Sequence, residues 1–367
     1  MFEMDSHQDG IILAGGESTS FWPLCRQYRP LQFLHFGPSG KSLLRMTFER
    51  LRAVIPQENI LVVTLARYQT SVLEIIPELS EENLLLEPYG RNTAPCITYA
   101  TYSLLKRDPQ AVMAIMPADN LIEEEASFRD ILGEALAYAA AHDELITLGI
   151  VPDRPDTNYG YIQVVGGKNA WEQTRPVKVK TFTEKPDQQL AEIFLRSGEF
   201  LWNSGIFVWK AQVIRNELES YVPAITRLFN GWETILGGPE EQRFLEKAYM
   251  NMERISIDYA VMENTEIDRV FAAAFRWADI SSWDAAYKSI ARPDADGNAI
   301  LTGRSLLLES RNCILNSNDP EKLLAVSGLE GYIIIDTKDV LMICPRDEHK
   351  VKDITTRIGL PEFERYR

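Results

Sequence analysis

GIILAGGESTSFWPLCRQYRPLQFL, residues Gly10 to Leu34, opens with a short apolar run (Ile11, Ile12, Leu13, Ala14) that predicts a buried strand. Gly15 and Gly16 follow at once, then the small hydroxylated residues Ser18, Thr19 and Ser20. A strand that ends in a glycine turn exposes backbone N–H groups at its carboxyl end, where open α/β sheets bind phosphates and nucleotides. Two readings stand side by side at this point: a ligand-bearing turn, or a tight strand-to-helix turn with no ligand. A P-loop is excluded, because Gly40-Lys41-Ser42 needs a glycine at 35, where His35 stands.

The chain outward from this stretch is that of an ordinary globular protein. Its 367 residues hold one large domain and a smaller one, and 45% are apolar. A formal charge of −15 argues against a nucleic-acid partner, which requires a concentrated basic face, but leaves room for a nucleotide. Cys25, Cys96, Cys313 and Cys344 are far apart with no CxxC, so a disulfide framework is not expected and a reducing cytosol fits. His7, His35, His142 and His349 form no metal or triad pattern. No apolar run is long enough to span a bilayer and the N-terminus is acidic, so the expectation is a cytoplasmic protein with no membrane partner.

Strand and helix patterns alternate through the first 150 residues. Strands are expected at Asn59–Thr64, Asn83–Glu87, Ala111–Met116 and Leu145–Ile150, and helices at Ser42–Ile55, Tyr68–Ile76, Ala94–Lys106 and Ser127–His142, with Ser42 as N-cap of the first. Such alternation predicts a mostly parallel, Rossmann-like sheet with helices on both faces and right-handed crossovers. From Tyr159 the pattern becomes turn-punctuated (Tyr161–Val165, Val177–Glu184, Gly205–Trp209), which predicts antiparallel strands laid beside the parallel sheet. Helical pattern returns at 210–229 and 257–264. The Pro/Asp/Gly stretch from Arg292 to Asn298 reads as a linker, dividing residues 1–291 from a small β-rich domain at 292–367. Short strands at 305–308, 323–326, 332–336 and 340–344 suggest a coiled rather than flat tail, with a short left-handed β-helix as its candidate form.

Several constellations carry chemistry. Asp119, just past the apolar strand and Pro117, is placed to hold a divalent cation over a phosphate; the alternative is a helix cap. Asp279 in WADISSWD is a second candidate ligand, or a loop residue; two aspartates plus phosphates suit Mg²⁺. Glu184-Lys185-Pro186 offers a cation for a phosphate and a carboxylate for a sugar hydroxyl, or a solvated ion pair. Asn203-Ser204-Gly205 offers groups for sugar hydroxyls, or a plain turn.

Taken in order, LAGGESTSFWPL, PLQF, EPYGRNTAP, MPADNLI, YGYIQ, TFTEKPD, FLWNSGIF, SIDYAVME and WADISSWDA resemble the mannose-1-phosphate guanylyltransferase (GDP-mannose pyrophosphorylase) family over nearly the whole chain. The tail LLAVSGLEGYIIIDTKDVLMIC resembles the family's short carboxyl-terminal domain. The isomerase half of longer, two-activity relatives is not expected, since the sequence stops at Arg367. The resemblance implies joining of GTP to mannose 1-phosphate, giving GDP-mannose and pyrophosphate with Mg²⁺ as cofactor, by positioning and charge neutralisation. It implies that Leu13, Gly15, Gly16, Arg91, Asn92, Thr93, Pro117 and Asp119 frame the nucleotide and that Asp119 and Asp279 hold the metal. Tyr161, Glu184, Lys185 and Asn203 would contact the sugar phosphate. Family members often dimerise, which suggests a homodimer.

The departures from the family pattern cluster in the opening loop. Where the family has GGSGTR, this chain has Gly15-Gly16-Glu17-Ser18-Thr19-Ser20, and Leu31 replaces the lysine of PKQF. Asn120 stands for the histidine after the metal aspartate, and Ser281 for the glycine of DIGSW. Losing one preorganised charge-stabilising donor costs about 10²–10³ in rate, so two lost donors imply about 10⁴–10⁶ if additive. Arg26, Arg29 or Lys41 are candidates for substitute charge, and Arg26 joins Asp119, Lys185 and Asp279 among the catalytic candidates. The alternative function is a catalytically impaired relative that binds a nucleotide sugar and serves as a regulatory or partner subunit.

Overall fold

Strand β1 (Gln8–Leu13) lies between β2 (Ile60–Leu65) and β4 (Val112–Pro117), parallel to both, and β2 pairs in parallel with β3 (Leu84–Glu87). The computed structural model describes residues 5–17, 20–35, 40–173, 175–280, 282–289 and 292–367. The other strands of the first 280 residues are β5 (Asn120–Ile122), β6 (Leu145–Ile150), β7 (Tyr161–Val164), β8 (Val177–Thr183), β9 (Phe200–Lys210), β10 (Asp268–Ala273) and β11 (Trp277–Asp279). The main sheet runs β3-β2-β1-β4-β9-β6-β10-β8-β7, with β7 also pairing with β9. The α/β, Rossmann-like expectation holds, with β3, β2, β1 and β4 paired in parallel and β6 and β10 parallel beyond β9. The antiparallel strands differ from expectation in place: β9 is antiparallel to both β4 and β6 and sits mid-sheet, and only β7 and β8 form the edge.

Burial on both sheet faces follows from the alternation of strand side chains. Ile11, Leu61, Val63, Met113 and Ile115 pack into one cluster with helix Thr93–Arg107 and helix Ala211–Tyr221. Residues of opposite parity face helix Leu43–Arg52: a Cβ on Gly10 would lie 3.2 Å from Leu51 Cδ1. That helix starts as its sequence directs, with Ser42 Oγ accepting from Arg45 N at 3.2 Å.

The chain divides into two compact units. One comprises Met1–Gly15, Thr47–Ala118 and Ile122–Trp277 and contains the main sheet; the other comprises Gly16–Met46, Asp119–Leu121 and Ala278–Arg367. In the second unit β12 (Ala299–Thr302), β14 (Ile314–Ser317) and β16 (Tyr332–Asp336) stack in parallel, β13 (Arg304–Leu308) stacks on β15 (Leu323–Ser327), and β17 (Leu341–Pro345) closes antiparallel on β16. This is the coiled tail expected from sequence, with two further strands (β12 and β14) and a helix at Glu348–Ile358. The unit has its own core, in which Phe21, Trp22, Leu31 and Leu34 join Trp283, Ile314, Ile333 and Met342; the Phe21 and Trp283 rings lie 4.8 Å apart. The four cysteines are free and buried. Among the described residues no helix is long and apolar enough to cross a membrane.

Candidate active site

The glycine bend is held from below by the strands beside it. Ala14 N donates to Val63 O at 2.8 Å, and Thr64 Oγ1 donates to Ala14 O at 2.9 Å. A Cβ on Gly15 would lie 3.1 Å from Glu87 Oε2, so the bend sits directly on a buried carboxyl. Glu87 is 3% exposed, its Oε1 has no hydrogen-bond partner among the described residues, and burial pushes its carboxyl up to about 8; the Tyr249 hydroxyl and Cys96 thiol beside it offset only part of that effect. Leu13 O accepts from Ala118 N at 3.1 Å, which places Pro117 and the end of β4 beside the end of β1. Gly16 has no neighbour within 4 Å of a built Cβ, and Gln32 Nε2 donates to its carbonyl at 3.1 Å. Ser18, Thr19 and Ser281 lie outside the described residues.

The two aspartates belong to the same end of a small ladder. β5 pairs with β11, and Glu123 N, just past β5, donates to Arg276 O, just before β11, at 3.1 Å. The ladder is therefore antiparallel, and its other end sets Asp279 across from Asn120, with Asp119 the residue before it and 160 positions from Asp279 in sequence. Both are half-buried, and burial raises the Asp119 carboxyl above the ordinary range. Among the described residues no group of three His, Cys, Asp or Glu is arranged as a metal cage. Two hard oxygen donors suit a cation that takes its remaining ligands from phosphate and water.

A second constellation lies in the first unit. β9 runs unbroken through Asn203-Ser204-Gly205, where a turn was one expectation. Thr147 pairs with Phe207 and Gly149 with Asn203, so Leu148 alone on β6 faces three residues, Ser204, Gly205 and Ile206, on β9. Ser204 Oγ fills the break, donating to Leu148 O at 2.6 Å and accepting from Ile206 N at 3.2 Å. Gly205 takes φ +69°, open to glycine, and its N–H donates to Asn203 Oδ1 at 3.1 Å. The bulge thereby aims the Asn203 amide, whose Nδ2 donates to Asp258 Oδ1 at 2.8 Å.

Lys185 Nζ donates to Glu184 Oε2 at 2.9 Å from a backbone held at φ +37°, a conformation a lysine adopts only under external constraint. Burial works against the lysine's charge, but Glu184, then Tyr259 and Asp258, outweigh it and raise its pKa. Burial and the neighbouring Glu184 push the Asp258 carboxyl up, while Asn203 opposes them. Gly160 permits this packing: a Cβ there would lie 2.6 Å from Glu184 Oε1.

Comparison with known proteins decides the ancestry. The pattern of the family described as "Nucleotidyl transferase" matches residues 9–292, and that of the "MannoseP isomerase/GMP-like beta-helix domain" matches 303–358. The chain is 33% identical over 365 residues to a protein from Klebsiella pneumoniae named mannose-1-phosphate guanylyltransferase, covering 97% of this chain and 76% of that one. The chain belongs to the mannose-1-phosphate guanylyltransferase family.

An Escherichia coli protein of the same name is also 33% identical, with the same coverage. A crystal structure of a Thermus thermophilus protein, described as a "mannose-1-phosphate geranyltransferase", superposes with a TM-score of 0.84 at 28% identity, covering 96% of this chain and all of that one. As a member of this family the chain is a sugar-1-phosphate nucleotidyltransferase by descent, and its tail is the family's β-helix domain.

Against that family pattern, several side chains expected to meet ligand are engaged elsewhere. Arg26 is not a free cation: Nε donates to Pro23 O, Nη1 to Tyr366 O (both 2.8 Å) and Nη2 to Asp339 Oδ1 at 2.9 Å, which locks the buried guanidinium into the fold. Leu31, at the family's lysine position, is 1% exposed in the second unit's core. Tyr161 is fully buried, and its hydroxyl both accepts from Asp156 N and donates to Asp156 O, each at 3.0 Å; its parity on β7 points it inward. Arg91 Nε donates to Tyr249 O at 2.8 Å, Asn92 Oδ1 caps the next helix through Thr93 N at 2.9 Å, and Thr93 Oγ1 accepts from Ile257 N at 2.8 Å. Arg29 is exposed. Asp258, Gly160 and Glu87 have no role that spacing alone reveals, although SIDYAVME, YGYIQ and EPYGRNTAP contain them; the signal is an acidic residue or a glycine inside a matched motif.

Proposed function

We propose that this chain joins GTP to mannose 1-phosphate, forming GDP-mannose and pyrophosphate. A phosphate oxygen of the sugar phosphate attacks the α-phosphorus in line, a new P–O bond forms, and the bond to the β-phosphate oxygen breaks as pyrophosphate leaves. The observation that carries the reading is the short ladder that brings Asp119 and Asp279 to one end from distant parts of the sequence. These two carboxylates would hold Mg²⁺, which when bound neutralises charge on the triphosphate. The glycine bend at Gly15 and Gly16, open at Gly16, binds nucleotide phosphate through N–H groups, Lys185 binds the phosphate of the sugar, and Glu184 and Asn203 orient its hydroxyls.

The test is pyrophosphate release from GTP and mannose 1-phosphate with Mg²⁺, expected to vanish in Asp119→Ala. A second reading, a nucleotide-sugar-binding subunit with impaired catalysis, is favoured by the engagement of Arg26 and the burial of Leu31. Absence of turnover together with measurable GDP-mannose binding would select it. Absence of both would overturn both.

A further inference from the structure

The cluster around Lys185 contains more carboxylates than a lysine–glutamate pair requires: Asp258, half-buried, and Glu263, exposed at its margin, both interact with Glu184. Asp258 begins a π-helical turn, Asp258–Met262, a local widening of the helix often found where a side chain is re-aimed toward a site. Its Oδ1 accepts from Asn203 Nδ2 at 2.8 Å, and Asn203 is fixed at its other end by Gly205 N and through its own N–H by Gly160 O at 2.8 Å. Glu184 packs against Gly160, close enough that a Cβ there would lie 2.6 Å from its Oε1 and 3.5 Å from Asn203 Cβ. Glu184, Asn203 and Asp258 therefore form one contiguous polar floor, assembled from β9, the exit of β8 and the π-helical turn.

A carboxylate offers about four lone-pair sites. Among the described residues, Asp258 uses one for Asn203, and the other bond it accepts comes from its own backbone N–H. It is half-buried, so its remaining acceptor sites face partly desolvated space where a hydroxyl is a better partner than bulk water is elsewhere on the surface. Half-buried carboxylates beside a lysine that pairs with one of them match a polyol bearing one phosphate: hydroxyls donate to the acids, and the phosphate takes the cation.

We propose that Asp258 is a specificity-determining residue of this site, accepting a hydrogen bond from one hydroxyl of a hexose 1-phosphate while holding the Asn203 amide in register. The inference rests on the reading of this cluster as the sugar-phosphate subsite. It makes Asp258 a selector among hexose phosphates and assigns it no part in the chemical step.

The experiment is calorimetric binding of mannose 1-phosphate and its 2-, 3-, 4- and 6-deoxy analogues to the full chain, using wild type, Asp258→Ala and Asp258→Asn. Asp258→Ala should weaken mannose 1-phosphate about 10- to 100-fold, the loss expected for one hydrogen bond to a charged acceptor. One deoxy analogue should show a clearly smaller difference between wild type and Asp258→Ala, the remainder being the loss of Asn203 register, whereas the others keep the full difference. Asp258→Asn retains an acceptor for Asn203 and should show a smaller loss confined to the same hydroxyl. GTP affinity should be unchanged in all three proteins. A uniform loss across every analogue, or none, overturns the assignment of Asp258 and leaves the subsite reading standing. Failure of wild type to bind any of these sugar phosphates overturns both.

Discussion

Replacing Glu87 by glutamine isolates the carboxyl under the glycine bend. The side chain keeps its size and loses only its ability to ionise. Burial raises this carboxyl to about 8 from an ordinary 4.5, so the folded state holds a proton that the unfolded chain releases at lower pH. The sign follows from linkage: Glu87's contribution is fully present below pH 4.5 and is lost as pH rises toward and through 8. At 1.36 kcal/mol per pKa unit, the gap corresponds to a ceiling of about 5 kcal/mol against the wild type above pH 8. That is a large share of the ~5–15 kcal/mol that holds a domain together. Urea unfolding of wild type and Glu87→Gln at pH 5 and pH 9 reads it directly. At pH 5 the two should agree within about 1 kcal/mol, since a neutral acid and an amide fill the same space. At pH 9 the glutamine protein should be more stable by about 2–5 kcal/mol. Equal stability differences at the two pH values would refute the reasoning, since they would mean that the carboxyl ionises in the folded protein without penalty.

The same logic applies at the opposite end of β1, where burial and then Asp108 push the Asp9 carboxyl up to about 7. Asp9→Asn should raise stability at pH 8 by up to about 4 kcal/mol and leave it unchanged at pH 4, as measured by urea midpoints. Gly160→Ala drives a methyl to 2.6 Å from Glu184 Oε1, so mannose 1-phosphate affinity by calorimetry should fall at least about tenfold while the thermal midpoint moves little. Arg26→Ala takes one donor from the Tyr366 carbonyl, leaving Trp22 Nε1, and removes the ion-pair partner of Asp339, leaving Thr337 Oγ1, so unfolding should cost about 2–4 kcal/mol less. If catalysis instead depended on Arg26 as a substitute cation, GTP affinity would fall in proportion to turnover while stability held.

Alternating apolar runs and capped helical patterns determined the order of elements, because strand and helix periodicity depend only on neighbours along the chain. Ile11–Ala14, Ala111–Met116 and Leu145–Ile150 announce themselves as buried strands for that reason, and the ordered motifs carry the family ancestry. Sequence also marked Asp119, Asp279, Glu184, Lys185 and Asn203 as polar residues suited to a metal or a sugar phosphate.

Tertiary structure decided which of the marked residues retain a free group. The donors of Arg26 are consumed by Pro23, Tyr366 and Asp339, and the hydroxyl of Tyr161 by Asp156, partners that no local pattern reveals. It decided that β9 enters mid-sheet, which opens the bulge that aims Asn203, and that Leu31 belongs to a core shared with the distant tail. It also brought Asp258 to Asn203 and Glu87 beneath Gly15. A side chain's chemistry is set by what surrounds it in space, and burial, spent hydrogen bonds and neighbouring charges are supplied by long-range contacts that the order of residues encodes only through the completed fold.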